Sequence, residues 1–204
     1  SEAYNNLGNT FKAIGQLEDA IKSYKKALEI NPEYPALHNN LGSAYKALGN
    51  LKDAVKSYLK GLDLNPSYID ILNNLGVAYT ELGEMNEAIN SLKKAIAIKP
   101  DYAEAFNNLG VVFNKNSQLE EAVHSFESAI KINPDFPDPY NNLTVVFRKQ
   151  GLFDHVTNSS KKAIDSMIKF IKAQPNDSDT HNNLGLAYFE IDILDKAVES
   201  FEVA

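Results

Sequence analysis

Apolar residues along the chain fall into pairs of stripes at helical spacing, with a glycine between the two stripes. The first pair consists of Tyr4, Leu7, Gly8 and Phe11, followed by Ala20, Tyr24, Ala27 and Leu28. This spacing places each stripe on one face of an α-helix. The turn glycines recur as Gly15, Gly49, Gly83 and Gly151. Prolines 32, 66, 100 and 134 end the second stripe of the first four pairs, because proline cannot continue a helix.

The tetrapeptide Asn-Asn-Leu-Gly gives this pattern a fixed period. It occurs at residues 5–8, 39–42, 73–76, 107–110 and 182–185, and as Asn-Asn-Leu-Thr at residues 141–144. The first four steps are 34 residues and the last is 41, so seven residues are inserted in the fifth repeat. Such a period indicates a stack of similar helix pairs. We expect one domain over residues 1–204, with repeats at 1–34, 35–68, 69–102, 103–136, 137–177 and 178–204.

Small and aromatic residues recur at fixed positions, numbered from the first residue of each repeat. Glycine at position 8 and alanine at position 20 allow two helices to approach closely, and position 11 is aromatic throughout. The pattern closely resembles the tetratricopeptide repeat (TPR) family along the whole chain. The resemblance implies an all-α, right-handed α-solenoid, a superhelix whose first helices line the inner wall. His38, Leu72 and His181 depart from the aromatic residue of position 4.

The fifth repeat departs most from the pattern. It has Thr144, Val156 and Ser160 where small, small and aromatic residues are expected. Its second helix lacks a stop until Pro175, so we predict the longest helix over residues 153–173. The inserted residues amount to about two helical turns, which keeps the apolar face in phase. We expect Ile164, Met167, Ile168 and Ile171 to form one stripe against a neighbouring helix.

The candidate binding surface is the face of the first helices opposite the packing stripe. At about 100° per residue, positions 2, 5, 6, 9, 12 and 13 share that face. Positions 5 and 6 are asparagine in every repeat, and position 2 is mostly acidic. The candidate residues are Asn6, Asn40, Asn74, Asn108, Asn142 and Asn183 at position 6, Asn73 and Asn107 at position 5, Val77, Val111 and Val145 at position 9, and Lys12, Lys46 and Arg148 at position 12.

A row of carboxamides can hold an extended peptide by its backbone, because each presents a donor and an acceptor as a peptide group does. The row is similar to the one in the TPR superhelix of protein O-linked N-acetylglucosamine transferase, which is described in those terms. Two alternatives stay open for the asparagines: they bond neighbouring helices, or they are simply hydrated. The valines either form a floor for apolar ligand side chains or pack between repeats.

A second resemblance is ruled out by position 5. TPR domains that grip the acidic C-terminus of chaperones carry lysine there, whereas this chain has asparagine in all six repeats. Chaperone tails are therefore not expected as partners.

Composition narrows the function classes further. The net charge of −7 argues against a nucleic-acid groove or an anionic membrane surface. No apolar run is long enough to span a bilayer, and the chain has no cysteine. The four histidines lack metal-ligand spacing, and phosphate-binding or nucleophile motifs are absent. We expect no catalysis, metal or cofactor, and a cytoplasmic location.

Three functions compete at this stage. The first is a non-catalytic module that binds an extended segment of a partner protein in the concave groove. The second is a substrate-recruiting arm of a larger glycosyltransferase, sulfotransferase or methyltransferase, since both ends of the chain look cut. The third is a self-assembling scaffold, in which Val198 and Phe201 at the C-terminal end contact another copy.

Overall fold

The computed structural model describes residues 1–204, except for the side chain of Ala173. Within this described part the chain is all helix and turn, with no strand. The helices form two compact units, residues 1–100 and residues 101–204. The predicted all-α fold of paired helices is confirmed, whereas the single continuous domain stays a prediction.

The first unit contains three helix pairs. They are α1 (Glu2–Ala13) with α2 (Leu17–Ile30), α3 (Pro35–Ala47) with α4 (Leu51–Leu64), and α5 (Ile69–Leu82) with α6 (Met85–Ile98). The core lies between successive pairs as well as within them: Tyr24 of α2 packs with Leu37 and Leu41 of α3, and Tyr58 of α4 with Ile71 of α5. Each pair therefore buries its apolar faces against the next one, as stacked repeats do.

The second unit contains the remaining three pairs. They are α7 (Ala103–Lys115) with α8 (Leu119–Ile132), α9 (Pro137–Lys149) with α10 (Phe153–Ala173), and α11 (Ser178–Glu190) with α12 (Leu194–Val203). The predicted long helix is confirmed as the 21-residue α10. Its Ile164 and Met167 are buried with Leu184 and Tyr188 of α11, and Ile171 packs beside them.

One residue of the predicted α10 stripe is misplaced. Ile168 is 36% exposed and does not belong to the buried cluster. It follows Met167 directly, and consecutive residues of a helix point about 100° apart. With Met167 at the centre of the contact, Ile168 is carried to its edge.

The close approach at position 8 has a direct geometric cause. A Cβ atom built on Gly42 would lie 2.5 Å from a ring carbon of Tyr58, and one on Gly110 would lie 2.5 Å from a ring carbon of Phe126. Any larger residue would displace these buried rings, so the aromatic side chain of the second helix packs directly on the backbone of the first.

The turn within each pair uses the left-handed backbone conformation at position 15. Glycine adopts it in four repeats, as at Gly83 with φ of 83°. Ser117 and Asp192 occupy the same slot in the fourth and sixth repeats, with φ of 60° and 62°. The turn is thus fixed by the fold even where a side chain makes it costly.

The histidines at position 4 stand in for the expected aromatic residue. His38 Nε2 lies 3.1 Å from the carbonyl oxygen of Pro32, and His181 Nε2 lies 2.9 Å from that of Pro175. Tyr140 donates its hydroxyl to the equivalent carbonyl of Pro134 at 3.1 Å. Each ring therefore packs at the start of a first helix and bonds the loop before it.

Candidate functional site

The asparagines of positions 5 and 6 form hydrogen bonds from one first helix to the next. The side-chain amide of position 6 donates to the side-chain oxygen of position 5 in the preceding repeat. These bonds join Asn40 to Asn5 (2.9 Å), Asn74 to Asn39 (3.0 Å) and Asn142 to Asn107 (2.9 Å). Asparagine bonding between helices, one of the alternatives left open by the sequence, thus occurs at these positions.

These bonds use only part of the capacity of each carboxamide. An asparagine side chain has two N–H donors and an oxygen that can accept twice. The pair to Asn5 uses one donor of Asn40, and the oxygen of Asn40 accepts no bond from the described side chains. Asn40, Asn74 and Asn142 are also partly exposed. Bonding between helices and bonding to a ligand are therefore compatible at position 6.

The row of bonds is interrupted between α9 and α11. Asn141 points its amide at the sulfur of Met167, 3.9 Å away in the extended helix α10. Within the described residues, the Asn183 side chain has no hydrogen-bond partner. The irregular fifth repeat thus leaves one carboxamide of the row unpaired.

The apolar candidates at position 9 become more exposed toward the end of the chain. Val77 and Val111 are partly buried, whereas Val145 is 46% exposed. Leu186 at the same position of the sixth repeat is 48% exposed, and Phe189 beside it is 61% exposed. The second unit therefore presents an apolar strip along α9 and α11.

The basic candidates at position 12 are engaged to different degrees. Burial lowers the pKa of Lys12, and the neighbouring Lys46 ammonium lowers it further. Lys46 Nζ lies 4.0 Å from a carboxylate oxygen of Glu81. Arg148 forms an ion pair with Glu190, which links α9 to α11. Lys46 and Arg148 are thus partly engaged by acids of the next repeat, whereas Lys12 and Lys46 repel each other.

Sequence reasoning missed a cavity at the end of the extended helix. It measures about 430 Å³ and lies between the start of α9, the end of α10 and the start of α11. Its walls include the aromatic rings of Phe136 and Phe170 and the carboxylates of Asp138, Asp177 and Asp179. The acids at position 2 were visible in the sequence. Phe170 belongs to the inserted residues, for which the repeat offers no template.

Two of these carboxylates have perturbed proton affinities. Partial burial raises the pKa of Asp138, and the carboxylates of Glu104 and Asp177 raise it further. Hydrogen bonds from the side chain and backbone of Thr180 lower the pKa of Asp177. Asp177 caps α11 by accepting from the Thr180 backbone N–H at 2.9 Å. The cavity therefore carries negative charge that the chain itself only partly stabilises.

A second, smaller cavity adjoins the first along the same two helices. It measures about 130 Å³ and is lined by Thr144 and Val145 of α9, Ser160 of α10, and Leu186 and Ala187 of α11. Asn183 borders both cavities. The sequence signal for this cavity is Ser160, which stands where other repeats carry a large side chain.

A further cavity lies in the first unit and reflects the repeat itself. It measures about 470 Å³ and includes Lys25, His38 and Lys60 in its lining. An equivalent cavity in the second unit measures about 240 Å³. In its lining, Tyr140 and Lys162 take the repeat positions of His38 and Lys60. Because this hollow recurs between successive second helices, it is a property of helix-pair stacking.

Two further kinds of site concern the described residues. None of their helices is long and apolar enough to cross a membrane. Within the same residues, no cluster of three His, Cys, Asp or Glu side chains could hold a metal ion.

Known proteins share this arrangement of helices. MamA is 30% identical, with a TM-score of 0.71, and the match covers 81% of this chain and 96% of MamA. A thermophilic TPR protein of Thermus thermophilus is 22% identical (TM-score 0.74; 92% and 98% covered). PilW, a type IV pilus biogenesis factor, is 19% identical (TM-score 0.77; 98% and 89% covered). The last two matches show the fold alone.

Family comparison agrees with the structural matches. The family model described as "TPR repeat" matches residues 8–49, 42–83 and 78–117. The model described as "Tetratricopeptide repeat" matches residues 103–136. A search of curated protein sequences gave no significant match. The matched repeats cover more than half of the chain, and the chain therefore belongs to the tetratricopeptide repeat family.

Proposed function

We propose that the chain is a non-catalytic interaction module that binds an extended segment of a partner protein on the face of its first helices. TPR proteins mediate protein–protein interactions, and this chain belongs to that family. The observation that carries the finer proposal is the asparagine row, whose bonds between helices leave donors and acceptors unused. Val77 and Val111 lie partly buried about one turn further along two of these helices.

The physical basis is the match between a carboxamide and a peptide group. Both present an N–H donor and a carbonyl acceptor in a plane, so successive asparagines can bond an extended backbone with little regard to its sequence. The bonds between Asn40 and Asn5, and between Asn74 and Asn39, fix the orientation of these groups in advance. Preorganisation of this kind lowers the entropy lost on binding.

The test begins with a displayed library of random peptides, each about 12 residues long, selected on the whole chain; a fully extended peptide of that length spans about 40 Å. The affinity of a selected peptide is then measured by calorimetry for Asn40→Ala, Asn142→Ala and Asn183→Ala. We expect each replacement to cost about 0.5–1.5 kcal/mol of binding free energy, the usual worth of one hydrogen bond. Asn183→Ala is the cleanest variant, because no described side chain bonds Asn183 and stability should be unaffected.

The matched control is Asn90→Ala, which removes an exposed asparagine from α6, the second helix of the third repeat. Its affinity should equal that of the unaltered chain. If Asn40→Ala and Asn142→Ala lower the melting temperature while all variants keep full affinity, the row is structural and the proposal is wrong.

A second candidate function is self-association through the last helix. Leu194 and Val198 of α12 are 52% and 55% exposed, and Phe201 on the same face is 40% exposed. An exposed apolar face of this kind tends to find a partner, here a second copy. Sedimentation velocity should show dimers that Val198→Glu dissociates. A strict monomer at high concentration would contradict it.

A further inference from the structure

Two cavities of the second unit, the acidic one and the small apolar one, lie along α9 and α11, and we call the surface between these helices the furrow. The acidic cavity lies at the N-terminal ends of both helices, and the apolar cavity lies further along them. Asn183 borders both cavities, and none of the described side chains bonds its carboxamide. Three different chemistries therefore follow one another along a single furrow.

We propose that this furrow selects the partner segment, by taking an arginine or lysine side chain in the acidic cavity and an aliphatic side chain in the apolar cavity. Asn183 bonds the backbone of the segment between the two side chains. This inference rests on the proposed function, to which it adds the sequence class of the ligand.

The acidic cavity has the composition that recognises an organic cation. Asp138 and Asp179 supply carboxylates, and Phe136 and Phe170 supply aromatic faces on which a guanidinium or ammonium group can stack. Within the described lining, no basic residue neutralises these acids. An acidic segment would meet only repulsion here, so charge complementarity favours a basic one.

The apolar cavity owes its space to an exchange of sizes in the fifth repeat. Ser160 occupies the slot that Tyr58 and Phe126 fill in other repeats, and the ring is missing. Val145 and Leu186, both exposed, form the rim. The ion pair between Arg148 and Glu190 closes the far end, so a short aliphatic side chain fits better than a charged one.

The distance between the cavities sets the spacing of the two anchors. On α11 the acidic cavity is centred near residue 181 and the apolar cavity near residue 186 or 187, which is about 8 Å at 1.5 Å per residue. An extended chain rises about 3.3 Å per residue. The two anchor side chains are therefore about two or three residues apart in the segment.

The experiment uses capped peptides of serine and alanine, each about ten residues long, that contain one arginine and one leucine at separations of about one to five residues. Binding is followed by chemical-shift perturbation of the ¹⁵N-labelled whole chain. We expect the tightest binding at a separation of about two or three residues. Replacing arginine by glutamate, or leucine by serine, should weaken it at least about tenfold, as for the loss of one charged or buried contact.

Two variants of the chain test the two cavities separately. Asp138→Asn combined with Asp179→Asn should reduce the preference for arginine over alanine about tenfold, the scale of a charge-assisted hydrogen bond, and leave the preference for leucine intact. Thr144→Gly combined with Ser160→Tyr restores the usual pair and fills the apolar cavity, so the preference for leucine alone should disappear. Asp70→Asn, at position 2 of the third repeat, is the matched control and should change neither preference.

The outcomes separate this inference from the function on which it rests. Peptides that bind through Asn40 and Asn142 but show no preference for arginine or leucine overturn the furrow and keep the interaction module. Peptides that keep both preferences after the cavity variants also overturn the furrow. Loss of both preferences in the matching variants supports it, whatever Asn40→Ala does.

Discussion

The fourth and fifth repeats bring their two helices together with different pairs of side chains at positions 8 and 24. In the fourth repeat, Gly110 of α7 presents bare backbone to the buried ring of Phe126 in α8. In the fifth, Thr144 of α9 faces the buried Ser160 of α10, with their hydroxyl oxygens 3.5 Å apart. The two positions have changed together, so the close approach of two helices depends on the pair and on neither residue alone.

The exchange has a cost, and the longer helix adds apolar contacts elsewhere. A serine buries far less apolar surface than a phenylalanine, so the α9–α10 contact loses hydrophobic stabilisation. The extra turns of α10 bring Met167 into the cluster of Leu184 and Tyr188 and place Ile171 beside it. The fifth repeat therefore relies more on its contact with α11, and the space left beside Ser160 becomes the small cavity.

The largest expected effect separates the two slots directly. Phe126→Ala should lower the free energy of unfolding by about 3–5 kcal/mol, because it leaves a cavity beside Gly110. Ser160→Ala should cost less than about 1.5 kcal/mol, the worth of one hydrogen bond. Urea denaturation at constant m-value measures both. Equal losses would show that the ring is not the main contact of the fourth repeat.

A double-mutant cycle sharpens the comparison within the fifth repeat. Ser160→Tyr alone should destabilise by about 1–3 kcal/mol, because the ring meets the Thr144 side chain. Thr144→Gly alone should cost up to about 1 kcal/mol through lower helix propensity. The double variant should recover at least about 1 kcal/mol of the sum, as expected for residues in contact. Additive losses would contradict a paired exchange.

The regular repeats were predictable because each repeat contains all the residues that determine its helices and turn. Glycine at position 8, the turn at position 15 and the terminal proline identify the helix pairs, and even the bounds of α10 follow from the position of Pro175. The asparagine bonds were an open alternative, because spacing alone cannot tell which neighbour a carboxamide faces.

The furrow lay beyond sequence reasoning for a different reason. Phe170 lies in the inserted turns, so no repeat position predicts the wall that it forms. Ser160 was recognised as a departure, but whether a missing ring leaves a cavity depends on how far Thr144 and Leu186 relax into the space. The place of Ile168 in the buried stripe was predicted wrongly, because residue spacing alone does not show where the contact between two helices ends.

Reciprocal substitutions at position 15, in the turn of each repeat, should have a smaller effect on stability. Ser117 of the fourth repeat and Gly151 of the fifth adopt the same left-handed conformation, with φ of 60° and 72°. Ser117→Gly should raise the free energy of unfolding by about 1 kcal/mol and Gly151→Ser should lower it by about as much, since a side chain is strained there. Thermal denaturation of both variants, with Asn116→Ala as a neighbouring control, measures the difference. A loss of stability in Ser117→Gly would contradict a strained serine.

The smallest effect concerns position 2, where the fourth repeat has Glu104 and the fifth has Asp138. The pKa of Asp138 is raised above the ordinary 3.8 by burial and then by Glu104 and Asp177, so the folded state holds its proton more tightly than the unfolded chain. Stability therefore falls as pH rises through the window above 3.8, and the loss is complete once pH exceeds the pKa of the folded state. Asp138→Asn should add less than about 1 kcal/mol at a pH of about 7, because solvent screens this partly exposed carboxylate.

The gain should shrink as the pH approaches 3.8, where the folded chain is protonated and the unfolded chain becomes so. Glu104→Gln should reproduce part of it, because it removes one of the carboxylates that repel Asp138. Urea denaturation of both variants at a pH of about 4 and again at about 7 measures these differences. A gain that is equal at the two pH values would mean that charge repulsion is not its cause, and that the substituted carboxamide makes a contact which the carboxylate cannot.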